Sequence, residues 1–166
     1  MSVRLATAAD IPAMIDLERQ CETAAHWTPG QYLAAMPACG AALTSRLVLV
    51  IDEEGKVLPV DRFTRRAALT GFLVARHQGR EWELENMVVA AASRRKGLGK
   101  RLLGELLSRA QGAGSECVLL EVRESNRAAR AFYEKHRFEE TGRRPAYYSS
   151  PPEDAIVYQR KLSGSK

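Results

Sequence analysis

One stretch constrains the fold more than any other. Residues 81–89 (EWELENMVV) have the composition of a strand, and a basic turn, Arg94-Arg95-Lys96-Gly97-Leu98-Gly99-Lys100, follows them. Leu102, Leu103, Leu106, Leu107 and Ala110 then recur at helical spacing until Gly112 and Gly114 end the run. Residues 117–122 (CVLLEV) are apolar except for Glu121, as expected of a strand covered on both faces. Strand, helix and strand in that order predict a right-handed crossover with two parallel neighbours. The chain is therefore expected to be a mixed α/β sheet protein.

The flanking segments fit that plan. Residues 3–5 read as a short first strand, and Thr7 with Asp10 as a capping box ahead of a helix carrying Ile11, Met14 and Ile15. Thr28-Pro29 starts a second short helix through about Met36. Residues 47–51 and 69–76 read as strands, with 52–55 as the turn after the first and a turn around Gln78-Gly79 after the second. Residues 52–66 look like an extended hairpin loop. Residues 128–135 read as a helix, and 138–141 and 156–162 as closing strands around a loop containing 143–152.

A length of 166 residues with 45% apolar and 27% charged side chains suits one domain over 1–162, with a flexible polar tail at 163–166. Apolar runs such as 47–51 and 87–92 are far too short to span a bilayer, and the first ten residues lack a secretory apolar stretch. Cys21, Cys39 and Cys117 show no C-x-x-C spacing, against a disulfide framework or a zinc ribbon. A cytoplasmic protein is expected, with no membrane partner. His26, His77 and His136 have no ligand-type spacing, so no metal is assigned.

The net charge is +5, and Arg94, Arg95, Lys96, Lys100 and Arg101 stand within eight residues without an acid. Glycines let a backbone turn approach a ligand, and a helix start adds unpaired N–H groups, which suits a pyrophosphate. Charge-assisted bonds contribute roughly 1.5–3 kcal/mol each, so a few approach the ~8 kcal/mol of a micromolar ligand. Neither G-x-x-x-x-G-K-[S/T] nor G-x-G-x-x-G is present. The alternative is a solvated basic helix start. Glu121 sits at the C-terminal end of its strand, where open α/β sheets bind ligands; its alternative is an ion pair with Arg123 or a helix cation. Asn126 reads equally as an N-cap, and Tyr133 equally as a core residue.

Arg94 to Gly99 resembles the R/Q-x-x-G-x-G/A pyrophosphate motif of the GNAT acetyltransferase superfamily. LEVRESNRAA (120–129), AFYE (131–134), RRPAYY (143–148) and EDAI (153–156) resemble its ribosomal-protein-alanine N-acetyltransferase branch, the RimI type. The resemblance is dense over 84–162 and weaker before it. It implies a mostly antiparallel mixed sheet with helices on both faces and one parallel crossover at the cofactor site. The cosubstrate would be acetyl-CoA. Backbone groups of Met87, Val88 and Val89 would bind its acetyl and pantetheine portion. Arg94, Arg95, Lys96, Gly97, Leu98, Gly99 and Lys100 would cradle the pyrophosphate, and Asn126 would bond the pantetheine arm. Glu121 would be the general base and Tyr133 the general acid.

Those residue types suit the reaction. An amine attacks a thioester only when neutral, and an α-amino group has a pKa of ~8, a lysine ~10.4. A carboxylate can remove the proton, and a tyrosine can protonate the departing thiolate. Glu83 and Glu85, on the strand carrying Met87 and Val89, are rival bases; an acidic outer face opposite arginines is their alternative reading. A covalent route through Cys117 is disfavoured, because free cysteines in apolar strands are usually inert. The acceptor implied is a protein N-terminus, of a ribosomal protein in that branch, with Trp27, Tyr32, Arg143, Tyr147 and Tyr148 as groove walls; the alternative is that Trp27 and Tyr32 are core and the paired tyrosines cover a sheet end. A lysine or small amine, a non-catalytic CoA-binding module and a nucleic-acid-binding module stay open, though no nucleic-acid motif appears and none is expected as a partner. Two departures from the family pattern stand out: Arg137 replaces a common glycine, so either the turn takes φ > 0 there at a cost of about 1 kcal/mol or the turn differs, and Ala90-Ala91-Ala92 replaces a polar link.

Overall fold

The computed structural model describes residues 2–36, 45–59 and 65–162; Cys39 and the 163–166 tail lie outside these. Seven strands are ordered β1-β2-β3-β4-β5-β7-β6, mostly antiparallel, with β4 and β5 parallel. They are β1 (Val3–Leu5), β2 (Arg46–Pro59), β3 (Arg65–Gln78), β4 (Glu81–Val89), β5 (Cys117–Arg123), β6 (Glu139–Ser149) and β7 (Pro152–Lys161). The helices are α1 (Ile11–Arg19), α2 (Pro29–Ala35), α3 (Leu98–Gly112) and α4 (Arg127–Lys135). By its contacts the chain divides into two compact units, Met1–Ala75 with Asn86–Leu106, and Arg76–Glu85 with Leu107–Lys166.

In the first unit, helical spacing puts Ile11, Met14 and Leu17 on one side of α1. With Tyr32 and Ala35 of α2 they cover Val48, Val50, Phe72, Val74 and Val88. The start of α3 covers the opposite sheet face, and there Gly71 is required. A Cβ at Gly71 would stand 2.9 Å from the Val88 carbonyl oxygen, 3.2 Å from Ile51 and 3.3 Å from Leu102. The box at Thr7 forms, but it caps a 3-10 turn (Ala8–Asp10) ahead of α1. The Asp10 carboxylate accepts from Thr7 N–H at 2.8 Å and from both terminal nitrogens of Arg4 at 2.9 Å. Burial pushes the Asp10 pKa up, but the bonds from Arg4 and Thr7 outweigh it and hold the group below the usual carboxylate range.

The expected turn at 52–55 is corrected. β2 continues through it to Pro59 and β3 begins at Arg65, so strands take up most of the loop expected over 52–66. Asp52 takes Arg4 Nε at 2.8 Å, which anchors this point of β2 beside β1.

In the second unit, β4 and β5 pair from Glu81↔Cys117 to Leu84↔Leu120. Burial alternates along β5, with Val118, Leu120 and Val122 inside and Leu119, Glu121 and Arg123 half-buried. Gly114, at φ 69°, ends α3 as its position after Gly112 predicts. The loop expected over 143–152 is also corrected. β6 runs to Ser149 and pairs with β7 across register shifts after Glu140 and Arg144. Hydrogen bonds from Arg143 to Glu124 (2.6 Å) and from the Ala146 N–H to Asp154 (2.8 Å) hold this exposed arm in strand form. Across β7 the register is Glu121↔Val157↔Gly142, with Arg123↔Ala155↔Arg144 in the next row on the same face.

Candidate active site

In the first unit, α3 begins at Leu98, directly after a turn in which Arg95 (φ 61°) and Gly97 (φ 79°) are left-handed. Gly97, left-handed directly before the helical Leu98, lets successive N–H groups converge on an anion. A Cβ at Gly97 would meet nothing within 4 Å, so the turn faces open space. Arg95, Lys96, Lys100 and Arg101 are exposed around it, while Leu98 is buried and fixes the helix start. The turn and its side chains thus fit a pyrophosphate. Arg94 does something different. Its Nε donates to the Val89 carbonyl at 3.1 Å and its guanidinium lies 3.7 Å from Cys21 Sγ, so it ties the turn to the end of β4.

Beside Met87, Val88 and Val89, β4 carries a residue that the sequence reading did not single out. Asn86 is buried and donates to Glu18 Oε1 at 2.7 Å; Glu18 Oε2 accepts from the Trp27 N–H at 3.0 Å. Tyr32 is fully buried, accepts from Asn86 at 3.3 Å and stacks edge-on against Phe72. Its place is the core, the alternative reading. Trp27, half-buried, packs on it at 5.4 Å.

In the second unit, the half-buried face of β5 presents the Glu121 carboxylate. Arg144 Nε stands 2.7 Å from Glu121 Oε1, and its guanidinium lies over the Tyr147 ring at 5.7 Å. The nearby Glu121 carboxylate, with burial adding to it, pushes the Tyr147 pKa up to about 12. The partner of Glu121 is thus neither Arg123 nor a helix cation. Arg123 lies under the Tyr148 ring at 4.0 Å and bonds Glu153 at 3.3 Å. Tyr148 in turn is within electrostatic reach of both Glu121 and Tyr133. Burial, helped by Tyr148, pushes the Tyr133 hydroxyl well above the ordinary tyrosine value, so it stays protonated across the physiological range. The structure therefore sets the Tyr147–Tyr148 pair, rings 5.1 Å apart, on the Glu121 side of β5, with Tyr148 the link toward Tyr133.

Asn126 is the N-cap of α4, its Oδ1 accepting from the Ala129 N–H at 3.1 Å. The rival carboxylates are engaged elsewhere: Arg76 reaches Glu83 at 2.5 Å and Glu85 at 3.6 Å, as the outer-face reading requires. Cys117 is buried at the other end of β5, beside a 370 Å³ cavity, 3.5 Å from Glu81 Oε1. Burial pushes its thiol pKa up, with Glu81 adding, which removes the thiolate a covalent route needs. Among the described residues there is no cluster of metal-ligating side chains, and no helix is long and apolar enough to cross a membrane.

A parallel crossover with a cationic glycine turn at its helix start has the form of a phosphate-binding α/β domain. Residues 12–138 match the model of the Acetyltransferase (GNAT) family, and the chain belongs to that family, whose cosubstrate is acetyl-CoA. It is 43% identical over 81 residues to the uncharacterized protein ML0378 of Mycobacterium leprae, covering 49% of this chain and 22% of that one. It is 34% identical over 104 residues to the ribosomal protein bS18-alanine N-acetyltransferase of Escherichia coli K12, covering 61% of this chain and 70% of that one. The crystal structure of the ribosomal-protein-S18-alanine N-acetyltransferase from Escherichia coli superposes with a TM-score of 0.78 at 25% identity, over 99% and 96% of the two chains. The chain thus spans about a fifth of the first relative's length and 70% of the second's.

Proposed function

We propose that this chain transfers the acetyl group of acetyl-CoA to an amine, most readily the α-amino group of a protein N-terminus, by direct attack. The observation that carries the reading is the carboxylate–tyrosine cluster on and beside β5. Glu121 accepts the proton that the attacking ammonium must lose, and Tyr133, held protonated, donates one to the sulfur as the C–S bond breaks and the C–N bond forms. The backbone of Met87, Val88 and Val89 polarises the thioester carbonyl. Arg95, Lys96, Gly97, Leu98, Gly99 and Lys100 hold the pyrophosphate, Arg94 positions that turn, and Asn126 bonds the pantetheine arm. Tyr147 and Tyr148 wall the acceptor side. A ribosomal-protein N-terminus is the acceptor suggested by the relatives' names. Residues 1–162 act as one catalytic domain in this reading, working in the cytoplasm.

The test is turnover of acetyl-CoA with alanine-initiated peptides, internal-lysine peptides and polyamines. Peptides with a free N-terminus should be acetylated, with Glu121→Gln and Tyr133→Phe each lowering kcat by about 10²-fold or more. Acetylation confined to polyamines would remove the peptide reading, and a fully active Glu121→Gln would remove the base.

A further inference from the structure

Resting on the reading of Glu121 as the base, we infer that Arg144 is a displaceable counter-ion for that carboxylate, a placeholder for the acceptor's ammonium. The register explains how it gets there. Glu121, Val157 and Gly142 share one row of the β5–β7–β6 face, and Arg144 lies in the next row on the same face. Gly142 carries no side chain and has open space where a Cβ would stand, so nothing from β6 covers that row. The Arg144 side chain therefore folds back across β7 and brings Nε to 2.7 Å from Glu121 Oε1. Arg143, pointing to the other side, is bonded to both Glu124 and Asp154 and stays on the strand pair.

The two partners differ in how firmly they are held. The Glu121 side chain is 14% exposed and set in a paired central strand, whereas that of Arg144 is 61% exposed, at the edge of the sheet where the β6–β7 register breaks. The carboxylate is the fixed partner and the guanidinium the movable one. An ammonium arriving at Glu121 meets a site already shaped for a cationic N–H donor, with the Tyr147 ring close beside it. It must replace Arg144 to deliver its proton. A neutral or blocked terminus has no charge to offer in exchange. Arg144 thus keeps the carboxylate paired until a cationic amine arrives, at some loss of affinity for that amine.

The test is equilibrium binding of an alanine-initiated peptide, free or N-acetylated, to the enzyme saturated with CoA, beside steady-state kinetics. Removing an exposed competitor worth up to about 1 kcal/mol should matter a few-fold. Arg144→Ala should bind the free peptide about three- to fivefold more tightly and lower its KM alike, leaving the KM for acetyl-CoA unchanged. The N-acetylated peptide, which does not exchange with Arg144, should change less. Arg144→Lys should restore the wild-type affinity for the free peptide, and in a Glu121→Gln background Arg144→Ala should change nothing. Arg144→Ala binding the free peptide equally or more weakly would overturn the inference, since a strut for the β6 arm behaves that way. Full activity in Glu121→Gln would instead overturn the base assignment, and with it this role for Arg144. An inactive Glu121→Gln beside an unaltered Arg144→Ala would strike the inference alone.

Discussion

Replacing Arg137 by glycine should make the protein more stable. Arg137 follows α4 at φ 65°, donating its N–H to the Glu134 carbonyl at 3.0 Å while Phe138 N–H reaches the Tyr133 carbonyl at 3.1 Å. That bond pair, closed by the Tyr133–Phe138 ring contact at 5.6 Å, is a Schellman motif, in which the left-handed position suits glycine. A left-handed L-residue costs roughly 1–2 kcal/mol, and glycine returns about 0.4–1 of that through the greater freedom of its unfolded chain. The net gain is about 0.5–1 kcal/mol, a rise in Tm of roughly 1–4 °C for a chain of this size. A second contribution has to be separated. Arg137 is the charge that, after burial, helps lower the pKa of Arg160, so removing it relieves a repulsion as well. Arg137→Ala removes the charge but keeps the strained φ, and should stay close to wild type. Thermal unfolding of the three proteins side by side decides the matter. An Arg137→Gly variant no more stable than Arg137→Ala would refute the backbone argument. Because Tyr133 keeps both its carbonyl bond and its ring contact, kcat should not change.

Two further substitutions test the first unit. Gly71→Ala should destabilise by about 1–3 kcal/mol, because the new methyl group meets the Val88 carbonyl at 2.9 Å with Ile51 and Leu102 close on either side; an unchanged melting curve would show that α3 can lift away without loss. Asp10→Asn should cost about 1–3 kcal/mol at neutral pH through the lost charge-assisted bonds from Arg4. Because the folded pKa of Asp10 lies below the unfolded value of about 3.9, its contribution is full above that value and fades as pH falls through the folded one. Denaturant midpoints of wild type and variant should therefore converge in acid; a constant gap down to pH 2 would place the effect in packing instead.

The parts of this molecule legible in the sequence are those that local chemistry dictates. The β4–α3–β5 crossover could be read because its leucines, glycines and apolar run each act within a few residues, and the bounds of β4 are those expected. Arg137 was legible only as a departure from the family pattern, which left open a left-handed turn or a different one; at φ 65° it is the former. The hairpin arms were not. β6 is exposed along nearly its whole length, so it shows no alternation, and its Arg, Pro and Gly residues imitate a loop; pairing with β7 alone makes it a strand. At 52–55 an Asp-Glu-Glu-Gly run reads as a turn, yet Arg4 holds Asp52 from the neighbouring strand.

The same division runs through the candidate site. That Glu121 either takes a cation or faces a cleft followed from one carboxylate in an apolar run. Which partner it takes depends on two strand registers and a shift after Arg144, long-range quantities that no local pattern carries. Glu18 and Asn86 make the point more strongly. They stand 68 residues apart, and each alone reads as an ordinary polar residue. Only packing α1 onto β4 turns them into a buried bond beside Met87, Val88 and Val89. A buried carboxylate receiving several donors is costly to leave half-satisfied, so the bond from Asn86 and that from the Trp27 N–H stand or fall together. The end of β4 and the segment leading into α2 are accordingly one mechanical element, joined by a residue that the sequence presents as one more glutamate on a helix.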